Sequence, residues 1–192
     1  MEIYLIRHTT PKIDKGICYG QADLELIPNF KKEINEVLSK IDAFKNGIVY
    51  SSPSKRCSLL AKNISETVRY DDRIKELDFG DWELKSWDEI HQTDLNKWMS
   101  DFVNEQVPNG ESYIWLFNRS LSFFNEVIQT KNEQVFIITH AGVMRSILSD
   151  ILKMDLKDSF DIKINYGDVI HLKYVNEKVS IQSGLLINNK FM

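Results

Sequence analysis

Hydrophobic positions fall into short continuous runs separated by longer spaced ones. The continuous runs are Ile3-Tyr4-Leu5-Ile6, Ile48-Val49-Tyr50 and Val135-Phe136-Ile137-Ile138-Thr139. A run with no polar face predicts a strand covered on both sides, the condition of a parallel sheet. Between the runs, apolar residues recur three and four apart, the helical spacing. Phe30, Ile34, Val37, Leu38 and Ile41 predict one helix. Cys57, Leu60, Ala61, Ile64 and Val68 predict a second, beginning near Ser54. Ile114, Phe117, Leu121, Phe124 and Ile128 predict a third from about Ser112. Val143, Ile147 and Ile151, with Leu148 and Leu152, predict a fourth directly after the last continuous run. The pattern then changes to alternation at Ile170, Leu172 and Tyr174, and again at Val179 and Ile181 beyond Asn176-Glu177-Lys178, which predicts an antiparallel hairpin. Strands alternating with helices predict an α/β fold in three layers: a mostly parallel open sheet flanked by helices, with an antiparallel edge. No repeat, low-complexity tract or linker interrupts it, so residues 1–192 read as a single domain.

Composition narrows the partners. A net charge of −4 lacks the basic stripe of a nucleic-acid surface, so no nucleic acid is expected. No apolar stretch approaches the roughly 18 residues of a membrane span, and the first residues lack the charged and apolar regions of a signal peptide. Cys18 and Cys57 show no metal-like spacing, so no metal is expected, and reduced thiols fit a cytoplasmic setting. The edge hairpin leaves a surface for self-association, so a monomer or a homodimer is expected.

Candidate chemistry gathers where strands end and helices begin. Arg7-His8-Thr9 leaves the first strand, and strand ends of an open α/β sheet open onto the ligand crevice. Ser51-Ser52-Pro53-Ser54-Lys55-Arg56 leaves the second strand and opens a helix. Thr139-His140-Ala141-Gly142 does the same after the third. Lys75-Glu76-Leu77-Asp78-Phe79-Gly80 forms a loop with an aromatic anchor. Helix N-termini suit anions, and the arginine fork matches phosphate oxygens. Two arginines, two histidines and a carboxylic acid at one place would suit phosphoryl transfer without a metal. One histidine would attack phosphorus, the other would steady the developing charge, and the acid would protonate the leaving oxygen. Each residue alone also has a plainer reading. His140 could cap a helix, Arg56 could be a solvated helix arginine, and Glu76 could be surface charge among Asp71, Asp72, Asp78, Asp81 and Glu83. Trp82, Trp87, Trp98 and Trp115 read as core or lid packing, and His91 and His171 as incidental.

These residues carry a family resemblance. In one order along the chain stand Arg7-His8, Ser51 to Cys57, Glu76 to Glu83, Pro108-Asn109-Gly110-Glu111-Ser112 and Thr139 to Arg145. The set resembles the histidine phosphatase superfamily, which includes the cofactor-dependent phosphoglycerate mutases. The resemblance implies a phosphoglycerate mutase-like fold with no cofactor. It also implies His8 as phosphorylated nucleophile, Arg7, Arg56 and His140 as the rest of the phosphate pocket, and Glu76 as proton donor. Asp14 to Leu24, with Trp82-Glu83, Trp87 and Gly110-Glu111-Ser112, is similar to the alpha-ribazole phosphatase branch, which acts during assembly of the cobalamin lower loop. Tyr19 and Gly20 of that stretch join the substrate-binding set, and so does Thr9, whose hydroxyl could stand near the phosphate. The chain departs from the common pattern at Thr9, where glycine is frequent, at Pro11 and Asp14 in place of Thr and Asn, and at Leu84 in place of glycine. Asp14, if ionised, would repel phosphate and is given no binding role.

The expected partner is therefore a small-molecule phosphate ester, and alpha-ribazole 5'-phosphate is the ester the resemblance favours. A phosphoglycerate mutase-type enzyme or a sugar-phosphate phosphatase is the alternative, although the short segments Ala22 to Phe30 and Ser100 to Glu111 look too small to seal a mutase site from water. A non-catalytic phospholigand-binding protein is a further alternative. The acid at position 76 speaks against it, because binding alone needs no acid.

Overall fold

The computed structural model describes residues 1–41 and 47–187. In chain order the elements are β1 (Glu2–Arg7), α1 (Phe30–Leu38), β2 (Ile48–Ser51), α2 (Lys55–Ile64), β3 (Val68–Tyr70), α3 (Gln92–Ser100), α4 (Tyr113–Ile128), β4 (Gln134–Thr139) and α5 (Ala141–Leu152). They are followed by β5 (Ile162–Lys163), β6 (Val169–Val175), β7 (Lys178–Ser183) and β8 (Leu186–Ile187). Six strands form one sheet in the order β3-β2-β4-β1-β6-β7, and β5 pairs with β8 in a separate ribbon. The pairs β1–β4, β2–β4 and β2–β3 are parallel, while β6 and β7 add the antiparallel edge. This is the expected fold class.

Alternation along the buried strands builds the layers. Ile3 and Leu5 of β1 lie opposite Val135 and Ile137 of β4, and all four share one core with Leu116, Phe123, Val143 and Ile147 of α4 and α5. Tyr4, Ile6, Phe136 and Ile138 point the other way, into a core with Ile34, Val37, Cys57 and Leu60 of α1 and α2. Both faces of the central strands are thus covered, which is why their sequences carry no polar alternation. Burying an aliphatic or aromatic side chain of this size contributes about 1.5–3 kcal/mol.

Three local expectations change. Val68 belongs to β3 and not to the second helix, which stops at Ile64; Ser65 is extended, and Val68 pairs with Val49 in the sheet. Ile41 lies beyond the end of the first helix, yet still packs against the core it lines. Trp115 is half exposed and not packed in a core, whereas Trp82, Trp87 and Trp98 cluster with Phe79 as expected. The hairpin turns at Asn176-Glu177, both with positive φ, as a two-residue connection between twisted strands requires.

Candidate active site

Strand register decides which residues meet. Arg7 at the end of β1 lies beside Thr139 at the end of β4, so the residues that follow, His8 and His140, stand next to each other. Ser51 of β2 pairs with Ile138, and Ser52 follows beside the same end. All three strands run in one direction, so their carboxyl ends open on one crevice. There the His8 and His140 rings lie 5.1 Å apart, edge to face. His140 Nε2 is 2.8 Å from Ser52 Oγ.

His8 is buried, and its Nδ1 lies 2.7 Å from the carbonyl oxygen of Thr9. A carbonyl can only accept, so Nδ1 carries the proton and Nε2 keeps its lone pair. Burial, then the charges of Arg56 and Arg7, hold His8 well below the usual histidine range. His140 is held low in the same way, by burial first and then by Arg56. Both rings are therefore neutral at pH 7. Cys57 lies 3.5 Å from His140 Nε2, but burial pushes its thiol up to about 12, so it offers no thiolate.

Arg56, in the first turn of α2, is fully buried. It donates from Nη1 to the Ala22 carbonyl at 2.8 Å and from Nη2 to the Gly20 carbonyl, which leaves Nε without a partner. Arg7 donates from Nη1 to the Ile164 carbonyl at 2.8 Å and lies over the Tyr166 ring at 3.9 Å, and its buried Nε is also unpartnered. Two buried guanidinium N–H donors without acceptors beside a histidine lone pair make a pre-built anion seat.

The Gly20 to Ala22 segment is held in turn by one carboxylate. Glu83 accepts the backbone N–H groups of Gly20, Gln21, Ala22 and Phe79 at 2.8–3.1 Å. Gly20 is confined as well, since a Cβ there would lie 1.8 Å from the Leu77 carbonyl oxygen.

Glu76 sits across the crevice on the segment following β3. Its Oε1 accepts from Leu77 N at 3.0 Å and its Oε2 from Gly142 N, in the first turn of α5, at 3.1 Å. The segment itself is gripped by Arg119 of α4, which donates to the carbonyls of Arg73, Lys75 and Glu76 at 2.6–2.8 Å and forms a two-pronged pair with Glu111.

The structure thus brings Arg7, His8, Tyr19, Arg56, Glu76 and His140 to one cavity of about 220 Å³. The remaining wall includes Phe79, Trp98, Phe102, Tyr113, Arg145 and Phe160. Two expected binding residues lie behind it. Thr9 is fully buried and reaches the site through the carbonyl that orients His8, its hydroxyl having no partner. Gly20 likewise acts through its carbonyl on Arg56. Tyr19 bonds hydroxyl to hydroxyl with Tyr166 at 2.5 Å, and burial together with that bond pushes its phenol up. Sequence reasoning missed Tyr166 and Arg119 as contributors, and treated Glu83, Glu111 and Arg145 only as parts of motifs. Arg145 had a legible signal, five residues after His140 on the helix that leaves the site.

Among the described residues, no group of three or more His, Cys, Asp or Glu side chains could hold a metal ion, and no helix is long and apolar enough to cross a membrane.

The family model for the histidine phosphatase superfamily (branch 1) matches residues 3–184. The chain belongs to that superfamily. As a histidine phosphatase it is an enzyme by class, and the ester it takes is a separate matter. It is 28% identical over 184 residues to phosphoserine phosphatase 1 of Hydrogenobacter thermophilus, covering 90% of this chain and 87% of that protein. It is 22% identical to the adenosylcobalamin/alpha-ribazole phosphatase of Escherichia coli K12, covering 87% of each. Its fold matches the crystal structure of the alpha-ribazole phosphatase from Shigella flexneri with a TM-score of 0.86 at 19% identity, covering 98% of this chain and 96% of that one.

Proposed function

We propose that this histidine phosphatase hydrolyses a small phosphate monoester in two steps, through a phosphohistidine on His8 and without a metal. The observation that carries this reading is the His8 tautomer: with Nδ1 bonded to Thr9, the Nε2 lone pair of a neutral ring is free in the cavity. In the first step Nε2 attacks phosphorus in line and the P–O bond to the leaving group breaks, while Glu76 in its protonated form gives its proton to the departing oxygen. The free Nε protons of Arg7 and Arg56, with His140, meet the equatorial oxygens as charge builds on them. In the second step water attacks the phosphohistidine, Glu76 takes the proton, and phosphate leaves.

Two ester classes have support. Alpha-ribazole 5'-phosphate, favoured by the sequence resemblance, finds support in the aromatic wall, which offers flat faces to a ring, and in the Escherichia coli relative. A phosphoserine-like ester finds it in the Hydrogenobacter relative and in the cationic wall residue Arg145.

The test of mechanism is a rapid acid-free quench with labelled substrate. An acid-labile phosphoryl group on His8, absent in His8→Ala, is expected; a label on any other residue overturns the reading. Release of inorganic phosphate from 3-phosphoglycerate, as opposed to its isomerisation, separates a phosphatase from a mutase.

A further inference from the structure

Arg145 is the cation that the phosphoryl chemistry does not use. It projects from α5 into the cavity that holds His8 and Glu76. Its Nε donates to the Ile162 carbonyl at 3.1 Å, and its guanidinium carbon lies 4.8 Å from the centre of the Phe160 ring. Among the described residues no carboxylate pairs with it, and its Nη1 and Nη2 have no protein partner. An arginine stacked on a ring, fixed through one nitrogen and open at the other two, presents the parallel N–H pair that fits a carboxylate.

Charge balance in the cavity points the same way. In the reacting state proposed above, both histidines are neutral and Glu76 carries a proton. Arg7, Arg56 and Arg145 then face a phosphate dianion, and one positive charge is left without a counterion. The wall of Trp98, Phe102, Tyr113 and Phe160 around that charge offers it no carboxylate, so a matching anion on the ligand is favourable. A second phosphate would bring more negative charge than a single arginine answers.

We propose that Arg145 is a second anion site within the active cavity, one that receives a carboxylate on the leaving group, so that the ester hydrolysed is a phosphorylated hydroxy acid or amino acid. The proposal rests on the phosphatase reading above and narrows its substrate class. Arg145 acts on binding and orientation, so its removal should register as lost discrimination between esters.

The experiment compares kcat/KM for matched probes that differ by the carboxylate: O-phosphoserine with phosphoethanolamine, and 3-phosphoglycerate with glycerol 3-phosphate. The wild-type enzyme is expected to favour the carboxylate-bearing member of each pair by roughly 10- to 100-fold, the scale of a hydrogen-bonded ion contact. Arg145→Leu is expected to bring the ratio close to one, the loss falling mainly on the carboxylate-bearing ester, and Arg145→Lys to restore part of it. Equal losses on both members overturn the proposal, because Arg145 would then only support the fold or Glu76. Faster turnover of alpha-ribazole 5'-phosphate than of either carboxylate-bearing ester overturns it too. Should Arg145→Leu fail to fold, Arg145→Gln reads the same ratio. If p-nitrophenyl phosphate and every other ester stay intact, the phosphatase reading has failed. Calorimetric binding of O-phosphoserine against phosphoethanolamine, to wild type and Arg145→Gln, then decides the carboxylate site by itself: a selective loss upholds it and equal affinities sink it.

Discussion

Gly142 carries no reactive group, yet the candidate acid depends on it. Its N–H holds Glu76 Oε2, and a Cβ at this position would lie 2.2 Å from Glu76 Oε1. Gly142→Ala is therefore expected to push the carboxyl aside and lower kcat on alkyl phosphate esters by about 10²-fold, the lower range for a general acid. A phenol leaving group needs little protonation, so p-nitrophenyl phosphate should suffer far less; equal losses would mean that Gly142 matters only to helix packing. Glu76→Gln should show the same split between poor and good leaving groups, measured as the ratio of the two kcat values. At this scale much was legible. Arginine, histidine and glutamate announce phosphate chemistry by residue type, and their places after apolar runs announce a strand-end crevice. Thr9 and Gly20 meet His8 and Arg56 through backbone carbonyls, and no side-chain reasoning reveals what a carbonyl will face.

Whole segments, and not only side chains, are held by single carboxylates. Glu83 satisfies four backbone N–H groups, three of them in the Gly20 to Ala22 segment whose carbonyls orient Arg56. Glu83→Ala would leave those donors without protein acceptors. The expected result is faster hydrogen exchange at Gly20, Gln21 and Ala22 and a rise of roughly tenfold in KM, with Glu83→Gln milder than Glu83→Ala. An unchanged exchange pattern would show that the segment is held by something else. Arg119 and Glu111 do the corresponding work for Glu76. The motifs contained Glu83 and Glu111 but not their tasks, because the segments they brace, Gly20 to Ala22 and the stretch around Glu76, lie tens of residues away and come near only after folding. Val68 illustrates the opposite error: its spacing from Ile64 fits a helix, but an open ladder position beside Val49 drew it into the sheet.

Over the whole molecule, the two neutral histidines link the site to stability. Their folded values lie below the unfolded one, near 6.5, because burial and the arginines disfavour the charged ring. As pH falls below about 6.5 the unfolded chain takes up protons that the folded chain refuses, so stability declines. The slope approaches about 1.4 kcal/mol per pH unit for each histidine until its folded value is reached. Thermal unfolding in phosphate-free buffer should therefore show Tm falling between pH 7.5 and 5.5, and a shallower fall in His8→Asn. A wild-type Tm that stays flat across that range would contradict the assigned neutral state. The cost is borne by a core closed on both faces of the sheet, in which Phe136 and Ile138 serve one layer and Val135 and Ile137 the other.

By itself the sequence determined the α/β layering, the strand ends at which Arg7, His8 and His140 stand, and the class of group transferred. Those follow from the period of apolar residues and from residue type, which are properties of short stretches of chain. Only the tertiary structure decided that Nδ1 of His8 is spent on Thr9, that Arg7 and Arg56 each keep a buried Nε without a partner, and that Arg145 stands unpaired in the same cavity. Which donor finds an acceptor depends on strand register and on loops packed from distant parts of the chain. Such pairings leave no periodic trace along the sequence, because the groups involved are neighbours only in space.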